Sequence, residues 1–189
     1  DLRYMFNIQL SGQELSEESL EIAKKGAYPL DEYESHMERL SDSEREELFN
    51  IENDVAAVQP WLKENIKWYG GDACAAELVE HIGKQDIVIA NRFLCHMYPE
   101  DAERCLGNMT RLVAPGGYLF VSGVDLDVRQ KVMGQSDFEP VSDRLEEIHN
   151  GDYTLLRGWP WVYWGLEPIS DKAENYLSRY AMVWRNRSA

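Results

Sequence analysis

The feature that most constrains this chain is a strand–helix–strand signal between residues 86 and 122. Asp86-Ile87-Val88-Ile89-Ala90 is a short apolar run of the kind found in a strand buried on both faces. Ala102, Cys105, Leu106, Met109, Leu112 and Val113 then recur at i, +3, +4, +7, +10 and +11, the period of an amphipathic helix. Pro115-Gly116-Gly117 breaks that helix, and Tyr118-Leu119-Phe120-Val121-Ser122 returns to an apolar strand. Such an order builds a right-handed crossover between parallel strands.

The alternation continues on both sides. Tyr4 to Leu10 reads as an opening strand. Ser16-Glu17-Glu18 reads as a capped helix start, with Lys24-Lys25 at the negative end of its dipole and Gly26 as the stop. Leu30, Tyr33, Met37 and Leu40, followed by Leu48 and Phe49, suggest short surface helices. Asn65 to Tyr69 is a further strand, ended by Gly70-Gly71-Asp72. Ala75, Ala76, Leu78, Val79 and Ile82 then make a helical stripe. Near the end, aromatic residues crowd around Trp159, Trp161, Tyr163 and Trp164, and Arg179 to Arg185 reads as a closing strand. The expected fold is α/β: a mostly parallel sheet with helices on both faces and an antiparallel C-terminal strand, in a single domain over residues 1–189.

Charge narrows the partners. The 189 residues carry 19 Lys and Arg against 34 Asp and Glu, a net charge of −15. A phosphate backbone or an anionic lipid surface would be repelled, so neither nucleic acid nor membrane is expected. Residues 14–54 alone hold 14 acids and 4 bases, which fits a solvated helical face or a surface for a basic partner. No apolar run approaches the ~20 residues of a membrane span. The three cysteines, Cys74, Cys95 and Cys105, form no C-x-x-C pair, so no disulfide framework or metal site is expected and a reducing cytoplasm fits. Asp1 stands where an initiator Met would, three residues from the opening strand, so further residues of the domain are expected upstream.

In an open parallel sheet, ligands bind beyond the carboxyl ends of the strands. Those ends carry Gly12-Gln13-Glu14, Gly70-Gly71-Asp72-Ala73, Asn91-Arg92-Phe93 and Ser122-Gly123-Val124-Asp125. A carboxylate accepting two hydroxyls suits ribose, a polar side chain beside a backbone amide suits an adenine edge, and acids with aromatic faces suit a cationic sulfonium.

The run Asp86 to Ser122, with its Leu112-Val113-Ala114-Pro115-Gly116-Gly117 helix exit, resembles the second half of class I S-adenosylmethionine-dependent methyltransferases. Leu20-Glu21-Ile22-Ala23-Lys24-Lys25-Gly26-Ala27-Tyr28 and Leu40-Ser41 through Phe49 are similar, more specifically, to chemotaxis-receptor methyltransferases of the CheR type. The resemblance covers roughly residues 4–124 and implies a Rossmann-like sheet and S-adenosylmethionine as cofactor. It makes 1–124 the cofactor side and 125–189 the acceptor side. It places Glu14 as the ribose acid, Asp72 and Ala73 at the adenine, and Asn91 and Arg92 beside the methionine portion and the methyl acceptor.

Two departures bear on function. The family's glycine-rich loop after its first strand is absent, so the chain resembles a domain entered at its second strand. Where receptor methyltransferases read Arg-Asn followed by a tyrosine, this chain reads Asn91-Arg92 and then His96. That argues against receptor glutamates as the acceptor, which is left as a small molecule or a protein side chain. Arg92 and His96 are the catalytic candidates, His96 because its ordinary pKa lies near neutrality. Asp125, Asp127, Arg129, His149, Trp159 and Trp164 are the candidates for acceptor binding, with Glu167 a weaker one. The competing expectation is a non-catalytic binding or regulatory module that keeps the fold.

Overall fold

The computed structural model describes residues 8–31, 40–151 and 164–188. By its internal contacts the chain divides into two compact units, Asp1–Asp72 and Ala73–Ala189.

In the first unit, β1 (Leu10–Glu14) pairs in parallel with β5 (Ile66–Gly70), Leu10 opposite Ile66 and Glu14 opposite Gly70. Among the described residues the first strand begins at Leu10 and runs on to Glu14, beyond the end of the Tyr4–Leu10 reading; residues 4–7 fall outside the described residues. α1 (Glu17–Lys25) joins the pair and is bounded as its sequence predicts. The Ser16 hydroxyl accepts the Ser19 N–H at 3.2 Å, and Gly26 closes the helix in a left-handed conformation at φ 60°.

The acidic stretch that follows is only partly helical. α2 (Asp42–Leu48) starts on a full capping box: the Ser41 side chain accepts from the Glu44 N–H while the Glu44 carboxylate accepts from the Ser41 N–H. Around it β2 (Ala27–Pro29), β3 (Phe49–Glu52) and β4 (Val55–Val58) form an antiparallel sheet in the order β2-β4-β3. This corrects the expectation of surface helices alone. The cause is local: Asn53 and Asp54 both take positive φ, 49° and 58°, making a two-residue hairpin turn between β3 and β4. Tyr33 and Met37 lie outside the described residues. α3 (Pro60–Lys63) leads into β5.

The second unit holds the main core. α4 (Leu78–Ile82) precedes β6 (Gln85–Asn91), and α5 (Pro99–Leu112) precedes β7 (Val113–Ser122). β6 and β7 are parallel, Ile87 opposite Tyr118 and Asn91 opposite Ser122. Ala102, Cys105, Leu106, Met109 and Leu112 of α5 are all buried, as their spacing predicts. Pro115-Gly116-Gly117 sits inside β7 rather than ahead of it; the chain is already extended from Val113, and the residues between appear as a register shift against β6.

α6 (Leu126–Gly134), β8 (Phe138–Pro140), α7 (Leu145–Asn150), α8 (Tyr176–Tyr180) and β9 (Val183–Asn186) complete the unit, with strand order β6-β7-β9-β8 and β9 antiparallel to both neighbours. Arg179 and Tyr180 thus end a helix, and the closing strand starts only at Val183. The two-faced burial expected of β6 does not hold. Val88 and Ala90 are buried in the core, whereas Ile87 and Ile89 are 57% and 71% exposed, beside Tyr118 and Phe120 at 37% and 39%. The apolar run describes both faces of the strand, but the core packs on only one of them.

Candidate functional site

Each parallel pair presents a polar C-terminal edge. On the first, the Gly71 N–H donates to the Glu14 carbonyl at 3.0 Å and the Gln13 side-chain amide donates to the Gly71 carbonyl. Glu14 and Asp72 therefore leave adjacent strands at the same end. Glu14 Oε1 accepts the Ser16 N–H at 3.0 Å, which turns the carboxylate toward the start of α1. A Cβ on Gly71 would meet nothing within 4 Å, so the space beside this edge is open. Asp72 is exposed and caps no helix, since α4 begins at Leu78 with Glu77 as its N-cap. Ala73, the next residue, is buried in the core of the second unit.

On the second edge, the Ser122 hydroxyl donates to Asn91 Oδ1 at 2.5 Å, and the Arg92 N–H donates to the Ser122 carbonyl at 3.0 Å. Arg92 has φ 55° and Gly123 φ 63°; a Cβ on Gly123 would stand 2.6 Å from the Arg92 Cα, so only glycine lets the two exits pass this closely. The Arg92 guanidinium lies 6.0 Å from the centre of the Trp164 ring, at the limit of a cation–π contact. His96 is exposed at the end of a single 3-10 turn, Leu94–His96, with its N–H on the Phe93 carbonyl at 3.2 Å.

The acceptor-side candidates divide sharply. Asp125 is the N-cap of α6, its Oδ1 accepting from the Asp127 and Val128 N–H groups at 2.8 and 3.3 Å. Asp127 is largely solvated and touches Arg179 Nη1 at 3.3 Å. Arg129 and His149 are completely buried. Trp159, with Trp161 and Tyr163, lies outside the described residues.

The structure adds a cluster around Glu167. Its carboxylate is gripped by Arg179, Nε to Oε1 at 2.6 Å and Nη2 to Oε2 at 3.0 Å, and Oε1 also accepts the Tyr180 hydroxyl at 2.9 Å. The Arg179 guanidinium holds the Glu167 carboxyl below its ordinary pKa despite the burial that opposes it. Burial first, then the bond to Glu167, pushes the Tyr180 phenol up. His149 Nε2 meets the Glu167 carbonyl at 2.8 Å, and burial, ahead of all else, drives the imidazole pKa down. Arg179 and Tyr180 escape the sequence reading because it gives both to a strand.

An open concavity of about 270 Å³, lined by Gly116, Glu139 and residues 185–188, lies at the opposite end of β7 from the Asn91–Ser122 edge. Among the described residues no helix is long and apolar enough to cross a membrane.

Residues 2–135 match the family described as CheR methyltransferase, SAM binding domain. The chain belongs to that family. Membership implies S-adenosylmethionine as the cofactor of this CheR-type domain and methyl transfer to an acceptor as its general chemistry. Solved structures similar to the CheR-type chain include an O-methyltransferase family protein from Burkholderia thailandensis, at 18% identity and TM-score 0.35 over 68% of this chain. Another is the [4+2]-cyclase SpnF, at 15% identity and TM-score 0.38 over 97%. The chain spans 37% of the length of the first and 68% of the second. No curated protein matches it in sequence.

Proposed function

We propose that this chain is the methyl-transferring domain of an enzyme that uses S-adenosylmethionine on a small-molecule or protein acceptor, with Glu14, Asp72, Ala73, Asn91 and Arg92 holding the cofactor. The observation that carries the reading is the edge of the β1–β5 pair, where Glu14 stands beside Gly71-Asp72 at the strands' C-terminal end.

The residues fit the group. A carboxylate has about four lone-pair sites, so the single bond from the Ser16 N–H leaves Glu14 able to accept both hydroxyls of a ribose. The open space at Gly71 admits a flat ring beside Asp72. Asn91, with Oδ1 occupied by Ser122, keeps its NH2 as a donor, and the Arg92 guanidinium suits a carboxylate such as that of a methionine portion. When bound, the cofactor supplies a methyl group already activated on a sulfonium.

With the donor activated, the chain's own work is to orient the reactants and exclude water. Arg92 and Trp164 form one wall of that work. An imidazole nitrogen of His96 would take the proton from an acceptor that must lose one.

Calorimetry of the full protein with S-adenosylhomocysteine tests the reading. Glu14→Ala should weaken binding by about 1.5–3 kcal/mol, the loss of a charged hydrogen-bond partner, or roughly ten- to a hundredfold in affinity. Equal affinity in the two proteins removes Glu14 from the site. Binding without turnover across an acceptor screen would favour the non-catalytic module instead.

A further inference from the structure

Arg129 is the residue the fold treats most strangely. It lies on α6 with its side chain fully buried, in a chain whose net charge is −15. A guanidinium carries five N–H donors and no acceptor. One of them, on Nη2, donates to the Arg179 carbonyl at 2.5 Å; Nε and Nη1 are buried without a hydrogen-bond partner. The nearby carboxylate of Glu167 does not serve them, since both its oxygens are taken by Arg179 and Tyr180. Asp127, the other acid of the cluster, is 82% exposed and turned to Arg179.

Two guanidinium groups therefore share one enclosed carboxylate. Burial, with the neighbouring Arg179, pushes the Arg129 pKa down to about 10, so it stays charged at neutral pH. An enclosed charge without a counter-ion is costly, and apolar side chains of similar volume commonly replace such groups without loss of stability.

His149 adds a second unmatched atom. Its Nε2 meets the Glu167 carbonyl, which suits a proton on that nitrogen, and Nδ1 is buried without a well-formed hydrogen bond. Gly165 takes φ 73°, and a Cβ there would stand 2.5 Å from the Val124 carbonyl and 3.6 Å from Arg129 Nη1. The main chain at Gly165 thus passes close to Nη1, and Glu167, two residues on, anchors this segment to α8.

The geometry points to a closed oxyanion site centred on Arg129 Nε and Nη1, which takes a carboxylate or phosphate group once residues 164–167 lift. Its ligand completes the charge balance that Glu167 leaves unfinished.

The test is a titration of the 15N-labelled full chain with acetate and, separately, with inorganic phosphate at constant ionic strength, following the Arg129 Nε–H resonance. A saturable shift with either anion is expected, together with movement of the His149 ring signals, and the anion that saturates identifies the ligand class. The same titration of Arg129→Met should lose the saturable response at unchanged or higher melting temperature. If that variant does not fold, Arg129→Lys replaces it; the charge is kept but the planar fork is lost, and the apparent affinity should fall at least tenfold. An Arg129 signal that stays fixed, or drifts linearly without saturating, in both titrations of the folded wild type overturns the proposal.

Discussion

The two units are built by different means. In the second, α5 and the inner face of β6–β7 bury Leu106, Leu119, Val121 and Cys105 at 0–1% exposure around Trp184. In the first, the described residues bury only Leu20 and Ala56 among their hydrophobic side chains. That unit relies instead on the Ser16 cap, the Ser41–Glu44 box and the Asn53-Asp54 turn, with the Glu14–Gly71 bond tying two strand ends. The chain thus combines a packed core with a region specified mainly by caps and turns. Core packing is strong and cooperative, whereas a cap secures little beyond its own turn.

The sharpest way to break this comparison is to cut into the packed side. Leu106→Ala should cost about 2–5 kcal/mol, seen as a lower urea midpoint with an unchanged slope. A loss below 1 kcal/mol would mean that the second unit is not held by its core.

Next in size is the Glu167 cluster. Glu167→Leu removes the acceptor for Arg179 and Tyr180, both largely enclosed, and should cost about 1.5–3 kcal/mol. Acid should act through the same group. Its folded pKa lies below the ordinary 4.5, so the native state binds its proton later than the unfolded chain does. Its contribution is complete above pH 4.5 and is lost as pH falls through the folded value. His149 works in the same direction over a higher window. With its pKa lowered from 6.5 by burial and by Arg129, its stabilisation is complete above pH 6.5 and declines below it, because the unfolded chain takes up the proton first. Urea midpoints should therefore fall between pH 7 and pH 5, and His149→Phe should flatten the upper part of that slope. A midpoint that holds steady from pH 7 to pH 5 in the wild type would contradict the burial of a neutral imidazole.

What the sequence reveals follows the same division. α1 and α5 are legible because a cap, a stop and a 3.6-residue period are properties of neighbours along the chain. Glu14, Asp72, Asn91 and Arg92 reach strand edges because the end of a parallel strand can be located from its apolar run. The β2–β4–β3 sheet escapes because its strands are only three or four residues long: Asn50 and Glu52 break up β3, and the apolar run Val55–Val58 is too short to declare a strand. Only Asn53-Asp54 announces it. The exposure of Ile87 and Ile89 escapes for another reason: an apolar strand records what it could bury, not what the fold supplies to cover it. The Arg129–Arg179 contact joins residues 50 apart, and no local rule predicts it.

The smallest effect belongs to the cap-held side. Ser41→Ala removes both the acceptor for the Glu44 N–H and the hydroxyl that donates to the Glu44 carboxylate at 2.7 Å. The expected cost is about 1 kcal/mol, confined to α2 and the strand that follows it. Such a loss is best read by amide exchange: protection should drop across residues 42–52 while the amides of α5 keep theirs. The locality matters more than the size. Were Ser41→Ala to speed exchange equally in α5, the two units would open together, and the first would share the stability of the core rather than depend on its own turns.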